Sequence, residues 1–222
     1  MGGTNGANSA AVLVSGGADS AVLVAELCGQ YGSVHPLFVR SGLIWESAEL
    51  DHLRRFLAAI ARPELQSLTL LDLPVGDVYG QHWGLTGDGV PDRDSPDSAV
   101  YLPGRNLILI PKAAVWCVLN DIKVLALGSL GSNPFPDSTH DFDEAMEQLV
   151  RRAVGSSPKI IRPFRDLHKS DVLRRGKSLP LQFTFSCIKP QRGEHCGSCN
   201  KCAERRHGFE AAGMPDLTVY AD

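Results

Sequence analysis

The sequence predicts an α/β fold: a parallel five-stranded sheet with helices on both faces, extended by a small cysteine-rich C-terminal region. Three observations predict it. Short apolar, β-branched runs alternate with stretches of helical period, the pattern of β-α-β units whose strands lie parallel. The string SGGADS (15 to 20) joins the first run to the first helical stretch, a glycine turn where such sheets bind ligands. Four of the six cysteines fall between 187 and 202, which sets residues 181 to 222 apart from an α/β part at 9 to 180.

Residues 10 to 14 read as a buried strand and 18 to 28 as a helix that Gly29 stops. SVHPLFV (33 to 39) is a second strand, in which Pro36 requires a place near the start or on a sheet edge, because proline donates nothing to a ladder. From 46 to 60, Leu50, Leu53, Leu57 and Ile60 share one helical face. SLTLLDL (67 to 73) is the third strand. The stretch from 74 to 100 follows as a loop; its part GDGVPDRDSPDS (87 to 98) is too rich in Gly, Asp and Pro to form an element, and it is either a lid or a disordered surface loop. A helix from about 106 to 122, kinked at Pro111, leads into a fourth strand at 123 to 129. Phe142, Ala145, Met146, Leu149 and Ala153 stripe a helix over 141 to 154, capped by Ser138 or Thr139. A short fifth strand (158 to 163), a short helix (169 to 177) and a last helix (200 to 212) complete the chain, and residues 1 to 8 read as a flexible leader.

The 222 residues, 43% of them hydrophobic, suit one domain with a small appendage. A formal net charge of −3 supplies no global basic field, so small-molecule substrates are expected rather than nucleic acid. No apolar run has the length of a membrane span, and no basic segment precedes an apolar one at the N-terminus, so no membrane partner and a cytoplasmic location are expected. Cys28 and Cys117 sit in apolar surroundings and read as small buried hydrophobes.

In SGGADS, Gly16 and Gly17 let the backbone approach a ligand, the first helical amides point at an anion, and Ser15 and Ser20 each offer a hydroxyl. The loop has no lysine, so it is not built like the common triphosphate loop. Asp19 would repel phosphate, unless it holds the loop's own amides or a magnesium ion. Cys187, Cys196, Cys199 and Cys202 are spaced C-x8-C-x2-C-x2-C, with Gly197 easing the knuckle. Four thiolates close a tetrahedral site, which points to one structural zinc. An iron–sulfur cluster is the competing occupant, and His195 a substitute ligand.

Ser-Gly-Gly-x-Asp-Ser after a strand resembles the pyrophosphate loop of the N-type ATP pyrophosphatase superfamily, Rossmann-like proteins of the adenine nucleotide α-hydrolase type. With LPGRN (102 to 106), FPDSTHDF (135 to 142), PFRDLHKSDVLRRG (163 to 176) and the zinc region at 184 to 209, it resembles the 7-cyano-7-deazaguanine synthase family of the queuosine pathway. The resemblance covers most of the chain. It implies an ATP-dependent C–N ligase that forms AMP and pyrophosphate. A carboxylate, 7-carboxy-7-deazaguanine, is adenylated, ammonia displaces AMP to give an amide, and a second adenylation leads to the nitrile. It implies that Ser15, Gly16, Gly17, Asp19 and Ser20 bind ATP phosphates and that Arg105 and Asn106 line the site, Arg105 pairing with phosphate or the substrate carboxylate. Asp137 binds Mg2+ or the deazaguanine edge, Lys169 neutralises pyrophosphate, and the protein is a homodimer. Arg205 and Arg206 read as solvated or structural.

Two stretches depart from the family. RSGLIWESAEL (40 to 50) stands where the family has Tyr-Gly-Gln and then a histidine and a glutamate, of which only the glycine and a nearby glutamate persist while Trp45 has entered; Ser138 and Thr139 stand where it has Cys-Arg. Both fall at strand ends, where substrate is expected. A relative so altered would stop at the amide, or join the carboxylate to another amine, including one on a protein acceptor, as in defence-system relatives. A zinc-dependent binding module would not need Asp19, Ser20 and Lys169, and a tRNA-modifying relative would carry a basic RNA-binding appendage.

Overall fold

Strands that are apolar on both faces need a helical layer on each side. A computed structural model of the chain, which describes residues 8–131 and 133–221, supplies both layers. In chain order the elements are β1 (Ser9–Leu13), α1 (Ala18–Leu27), β2 (Ser33–Arg40), α2 (Glu46–Ala59), β3 (Thr69–Asp72), α3 (Gly76–Tyr79), α4 (Trp83–Thr86), α5 (Arg105–Leu119), β4 (Val124–Leu127), α6 (His140–Val154), β5 (Lys159–Ile161), α7 (Lys169–Arg175) and α8 (Asn200–Ala212). The five strands form one parallel sheet in the order β3-β2-β1-β4-β5, as the sequence predicts.

Successive strand residues point to opposite faces. Val12 packs with Leu23 of α1, Leu53 of α2, Val172 of α7 and Phe209 of α8. Its neighbour Ala11 packs with Ile110 of α5 and Met146 of α6. A third apolar cluster joins Leu43, Trp45 and Leu102 to Phe185 and the four clustered cysteines. The C-terminal region therefore meets the rest of the chain twice, through α8 on the sheet's first layer and through the cysteines.

Pro36 sits neither at the start of β2 nor on an edge, since β2 lies between β3 and β1. The neighbouring hydrogen bonds explain why it is tolerated. Val34 N–H donates to Glu64 C=O (2.8 Å) and Val34 C=O accepts from Gln66 N–H (2.9 Å), so Pro36, next in that row, faces the same side. β3 joins the ladder only from the Leu37–Thr69 pair onward, so the missing N–H falls ahead of it. β3 is correspondingly shorter than the strand expected over 67 to 73.

The loop expected from 74 to 100 carries α3, α4 and a 3-10 turn at Asp97–Val100. It is tied to its surroundings: Trp83 stacks on Trp45 with ring centroids 5.5 Å apart, and Asn200 Nδ2 donates to Ser95 C=O at 2.7 Å. Pro111 does not break α5, which continues through it. Thr139 caps α6, its Oγ1 accepting from Phe142 N–H. Of the leader expected at 1 to 8, residues 1 to 7 lie outside the described residues; Asn8 is held, its C=O accepting from Gly32 N–H.

Candidate active site

An open α/β sheet leaves a crevice at the carboxyl ends of its strands where the strand order reverses. That point lies between β1 and β4, and a cavity of about 350 Å³ opens there, bounded by Val14 after β1, Val39 of β2 and Gly128 after β4. Ser15, Gly17, Asp19, Ser20, Arg105, Asn106 and Asp137 all line it. The structure thus brings the expected loop and the α5 residues to one place.

The loop's geometry follows from its residues. Gly16 has φ +74°, and a Cβ there would lie 3.0 Å from the backbone oxygen of Glu49. Gly128 serves the same end from β4: a Cβ on it would come within 3.0 Å of Ser20 N. Gly17 caps α1 without a side-chain hydrogen bond, so the first-turn amides stay available to an anion. The serines bind the loop to itself, Ser20 Oγ donating to Gly17 C=O (3.1 Å) and accepting from Ser15 N–H (3.3 Å). Phe185 N–H donates to Gly16 C=O at 2.7 Å, which ties the loop to the cysteine region.

Asp19 does not hold the loop's amides. Its Oδ2 accepts from Lys169 Nζ at 2.7 Å, while its buried Oδ1 has no partner. Lys169, the first residue of α7, also lies 3.8 Å from Glu204. Burial alone would lower the Lys169 pKa, but Asp19 and Glu204 outweigh it and raise it. Lys169 therefore stands behind Asp19, outside this cavity's lining, and reaches the loop through that carboxylate.

Arg105 opens α5 after Gly104, whose φ of +70° makes the turn into the helix. Arg105 Nε is buried without a hydrogen-bond partner, and no ion pair engages its guanidinium among the described residues. Asn106 and Asp137 are bound together: Asp137 Oδ2 accepts from Asn106 N–H (2.9 Å), and Asn106 Nδ2 donates to Asp137 C=O (3.0 Å). Asp137 thereby caps α5 from another segment while still lining the cavity. Tyr101 and Phe135, both on the cavity wall, stack with centroids 4.7 Å apart.

Several contributors were not singled out from sequence. Arg162, just after β5, is fully buried with Asp143 of α6 in a two-pronged pair, Nε to Oδ2 at 2.7 Å and Nη2 to Oδ1 at 2.8 Å. Its Nη1 also donates to Ser129 Oγ (2.6 Å) and Ser138 Oγ (2.9 Å), which fixes the segments carrying Ser129 and Asp137 at the cavity. Of the two divergent stretches, Ser138 and Thr139 are thus spent on Arg162 and on the α6 cap, and neither lines the cavity. The other stretch does line it, through Ser41, Leu43, Glu46 and Glu49. Glu46 Oε2 accepts from Ser41 N–H and Gly42 N–H, which folds that turn. Trp45 packs in the third apolar cluster and hydrogen-bonds the Glu49 side chain.

The four cysteines converge. Their Sγ atoms lie within 4.8 Å of one another, all buried. Cys196 to Cys202 is 3.9 Å and Cys199 to Cys187 is 3.8 Å; a tetrahedral ion with metal–sulfur bonds of about 2.3 Å sets sulfurs roughly 3.8 Å apart. Backbone N–H groups of Lys189 and Cys196 point at Cys187 Sγ (3.3 Å each), and Ser198 N–H points at Cys196 Sγ (3.4 Å), donors suited to thiolates. The cluster can hold a metal ion. His195 is not needed as a substitute ligand: the four thiols converge without it, and its Nε2 accepts from Ser186 N–H. Arg205 is structural, its buried guanidinium donating to Thr218 Oγ1, Thr184 Oγ1 and Leu181 C=O. Arg206 lies over the Tyr220 ring at 4.0 Å. No helix among the described residues is long and apolar enough to cross a membrane.

The family model described as queuosine biosynthesis protein QueC matches residues 9–213. A 7-cyano-7-deazaguanine synthase of Thiobacillus denitrificans is 30% identical, over 96% of this chain and 98% of its own length. One from Xanthomonas campestris pv. campestris is 33% identical over 96% and 97%, and one from Methanothrix thermoacetophila 30% over 95% and 98%. Two solved structures share the fold. A predicted subunit of tRNA methyltransferase from Methanocaldococcus jannaschii superposes with a TM-score of 0.51 at 14% identity, over 93% of this chain and 89% of that one. A 4-thiouridine synthetase in complex with RNA and bound ATP gives 0.50 at 15%, over 96% of this chain and 48% of that one.

Proposed function

The chain belongs to the QueC family of queuosine biosynthesis proteins, and from that premise we propose that it converts 7-carboxy-7-deazaguanine and ammonia to 7-cyano-7-deazaguanine at the expense of ATP. One observation carries the reading: the uncapped start of α1 and the unpaired Arg105 face one cavity at the switch point of the sheet. An adenylating enzyme needs an anion cradle for departing pyrophosphate and a cation to bring the carboxylate to the α-phosphate.

In this reading Ser15, Gly16, Gly17 and Ser20, with the α1 amides, hold the β- and γ-phosphates. Arg105 offers its unpaired guanidinium to the substrate carboxylate, two planar forks in register. Asp137 and Asn106 meet the edge of the heterocycle, and Tyr101 and Phe135 give it a flat wall. Lys169 offsets charge at the phosphate loop through Asp19. The orphaned Asp19 Oδ1 suits Mg2+, which when bound offsets charge on the phosphates. The four-thiolate set suits structural zinc, since it leaves no open position for chemistry. The carboxylate oxygen attacks the α-phosphate, pyrophosphate leaves, and ammonia displaces AMP from the acyl-adenylate. The amide oxygen is then adenylated in the same cradle, and loss of AMP leaves the nitrile.

A second reading is favoured by the divergent stretch on the cavity wall, Ser41 to Glu49: the enzyme stops at the amide, or couples the carboxylate to an amine of another molecule or protein. Mass spectrometry of products from ATP, 7-carboxy-7-deazaguanine and ammonium separates the two. Nitrile with AMP supports the first reading. AMP with amide alone, or AMP only when another amine is supplied, supports the second. No AMP under any condition defeats both.

Two substitutions follow. Gly16→Ala forces a Cβ into the left-handed region, at about 1–2 kcal/mol, against a backbone oxygen 3.0 Å away that cannot swing aside. ATP affinity measured by calorimetry is expected to fall about tenfold or more. Arg105→Met removes a charge-assisted pair worth about 1.5–3 kcal/mol. It is expected to raise KM for the carboxylate about 10- to 100-fold while changing ATP affinity much less.

A further inference from the structure

Both nitrogen steps of the proposed reaction release protons, and none of the roles assigned above accepts them. Forming the amide takes one proton from the attacking ammonia. Forming the nitrile takes two from the amide nitrogen as the C–O bond to AMP breaks and the C≡N bond forms. The first of those two leaves a nitrogen made cationic by adenylation and needs no strong base. The second leaves with AMP and needs an acceptor beside the reacting carbon.

We propose that Glu49, on the cavity wall formed by Ser41 to Glu49, is that proton acceptor. The inference rests on the reading given under Proposed function. Glu49 lies in the first turns of α2, lines the cavity, and has its backbone oxygen packed against Gly16 of the phosphate loop. Arg105 is close enough to act on its charge. Glu49 thus belongs to the part of the cavity wall that meets the phosphate loop through its backbone and feels the charge of Arg105, beside the place the adenylated carbon takes in this reading.

Of the other carboxylates on the cavity, Asp97 is exposed on the 3-10 turn at its rim, and the rest are committed elsewhere. Asp19 is paired with Lys169, Asp137 with Asn106, Glu204 with Lys169 and Lys201, and Glu46 with the backbone of Ser41 and Gly42. Glu49 has no salt bridge among the described residues. Burial pushes its carboxyl up to about 8, against the opposing pull of Arg105 from α5; Glu46 on its own helix adds to the rise, and a hydrogen bond from Trp45 opposes it. A carboxylate of that basicity can take a proton that an ordinary one cannot.

The test separates the nitrogen chemistry from adenylation. Attack of the carboxylate on ATP moves no proton, so exchange of labelled pyrophosphate into ATP, dependent on 7-carboxy-7-deazaguanine, reads adenylation alone. Conversion of the amide to the nitrile with ATP reads the proton step and needs no ammonia, whose own titration would confuse the pH profile. Glu49→Gln is expected to lower amide-to-nitrile turnover at least 100-fold, with a loss at least 30-fold greater than its loss in exchange. The unaltered enzyme's turnover of amide is expected to rise with pH through about 8 and the variant's to lose that rise. Equal losses in both assays would mean that Glu49 only packs against the phosphate loop, and no loss would mean that another group takes the proton; either result overturns the inference. Absence of exchange in the unaltered enzyme would instead overturn the reading on which it rests, and the inference with it.

Discussion

Replacing Cys202 with serine, or stripping the metal with a chelator, is expected to unfold the C-terminal region and abolish ATP-dependent turnover. The four thiols lie within 4.8 Å of one another in a buried cluster that also contains Leu43, Trp45 and Phe185. A structural zinc site contributes folding free energy directly, about 10–16 kcal/mol in isolated zinc-finger peptides. The damage would not stay local. Cys187 follows Phe185 by two residues, and Phe185 N–H holds Gly16 C=O; Cys199 caps α8, whose first residue Asn200 donates its N–H to Pro91 C=O. Losing an ion bound there would thus loosen the phosphate loop, the 74–100 segment and α8 together. Elemental analysis should find one zinc per chain in the native protein. The serine variant should lose the metal, become cleavable by protease between 181 and 200, and bind ATP at least 100-fold more weakly. A metal-free protein that resists protease and binds ATP normally would contradict this account of the cluster.

Asp143→Asn is expected to cost about 3–5 kcal/mol, because it leaves a buried guanidinium without its counter-charge. Both side chains are almost wholly inaccessible, 1% exposed for Arg162 and 3% for Asp143, so water cannot take over. For a chain of this size the melting temperature should drop by roughly 6–20 °C. Activity should suffer as well, since Arg162 also holds Ser129, Ser138 and the backbone of Asp137. Replacing both partners with apolar residues of similar volume should restore much of the stability but not the activity. Thermal melts of the single and double variants, beside their turnover, check both parts.

The sheet was legible because each strand is a short apolar run between amphipathic helices, a signal carried by neighbours in sequence. The phosphate loop and the cysteine knuckle were legible for the same reason: each lies within a few residues of chain. The errors share the opposite cause. Pro36 is tolerated inside the sheet because β3 begins two residues late, a fact about another strand. The helices α3 and α4, four residues each, are too short to show a period and owe their form to contacts such as Trp83 on Trp45. The Arg162–Asp143 pair joins residues 19 apart, and Lys169 meets Asp19 across 150 residues of chain. Both divergent stretches looked alike as strand ends; only folding separates Ser41–Glu49, on the cavity, from Ser138 and Thr139, spent on Arg162 and a helix cap.

The central claim is that this loop releases pyrophosphate from ATP twice while an acceptor oxygen joins the α-phosphate. It is tested most directly with 7-carboxy-7-deazaguanine labelled with oxygen-18 in both carboxylate oxygens, incubated with ATP and ammonium. Two AMP molecules per nitrile, each carrying one labelled oxygen, beside unlabelled pyrophosphate, are predicted. ADP and inorganic phosphate, or AMP without label, would contradict it.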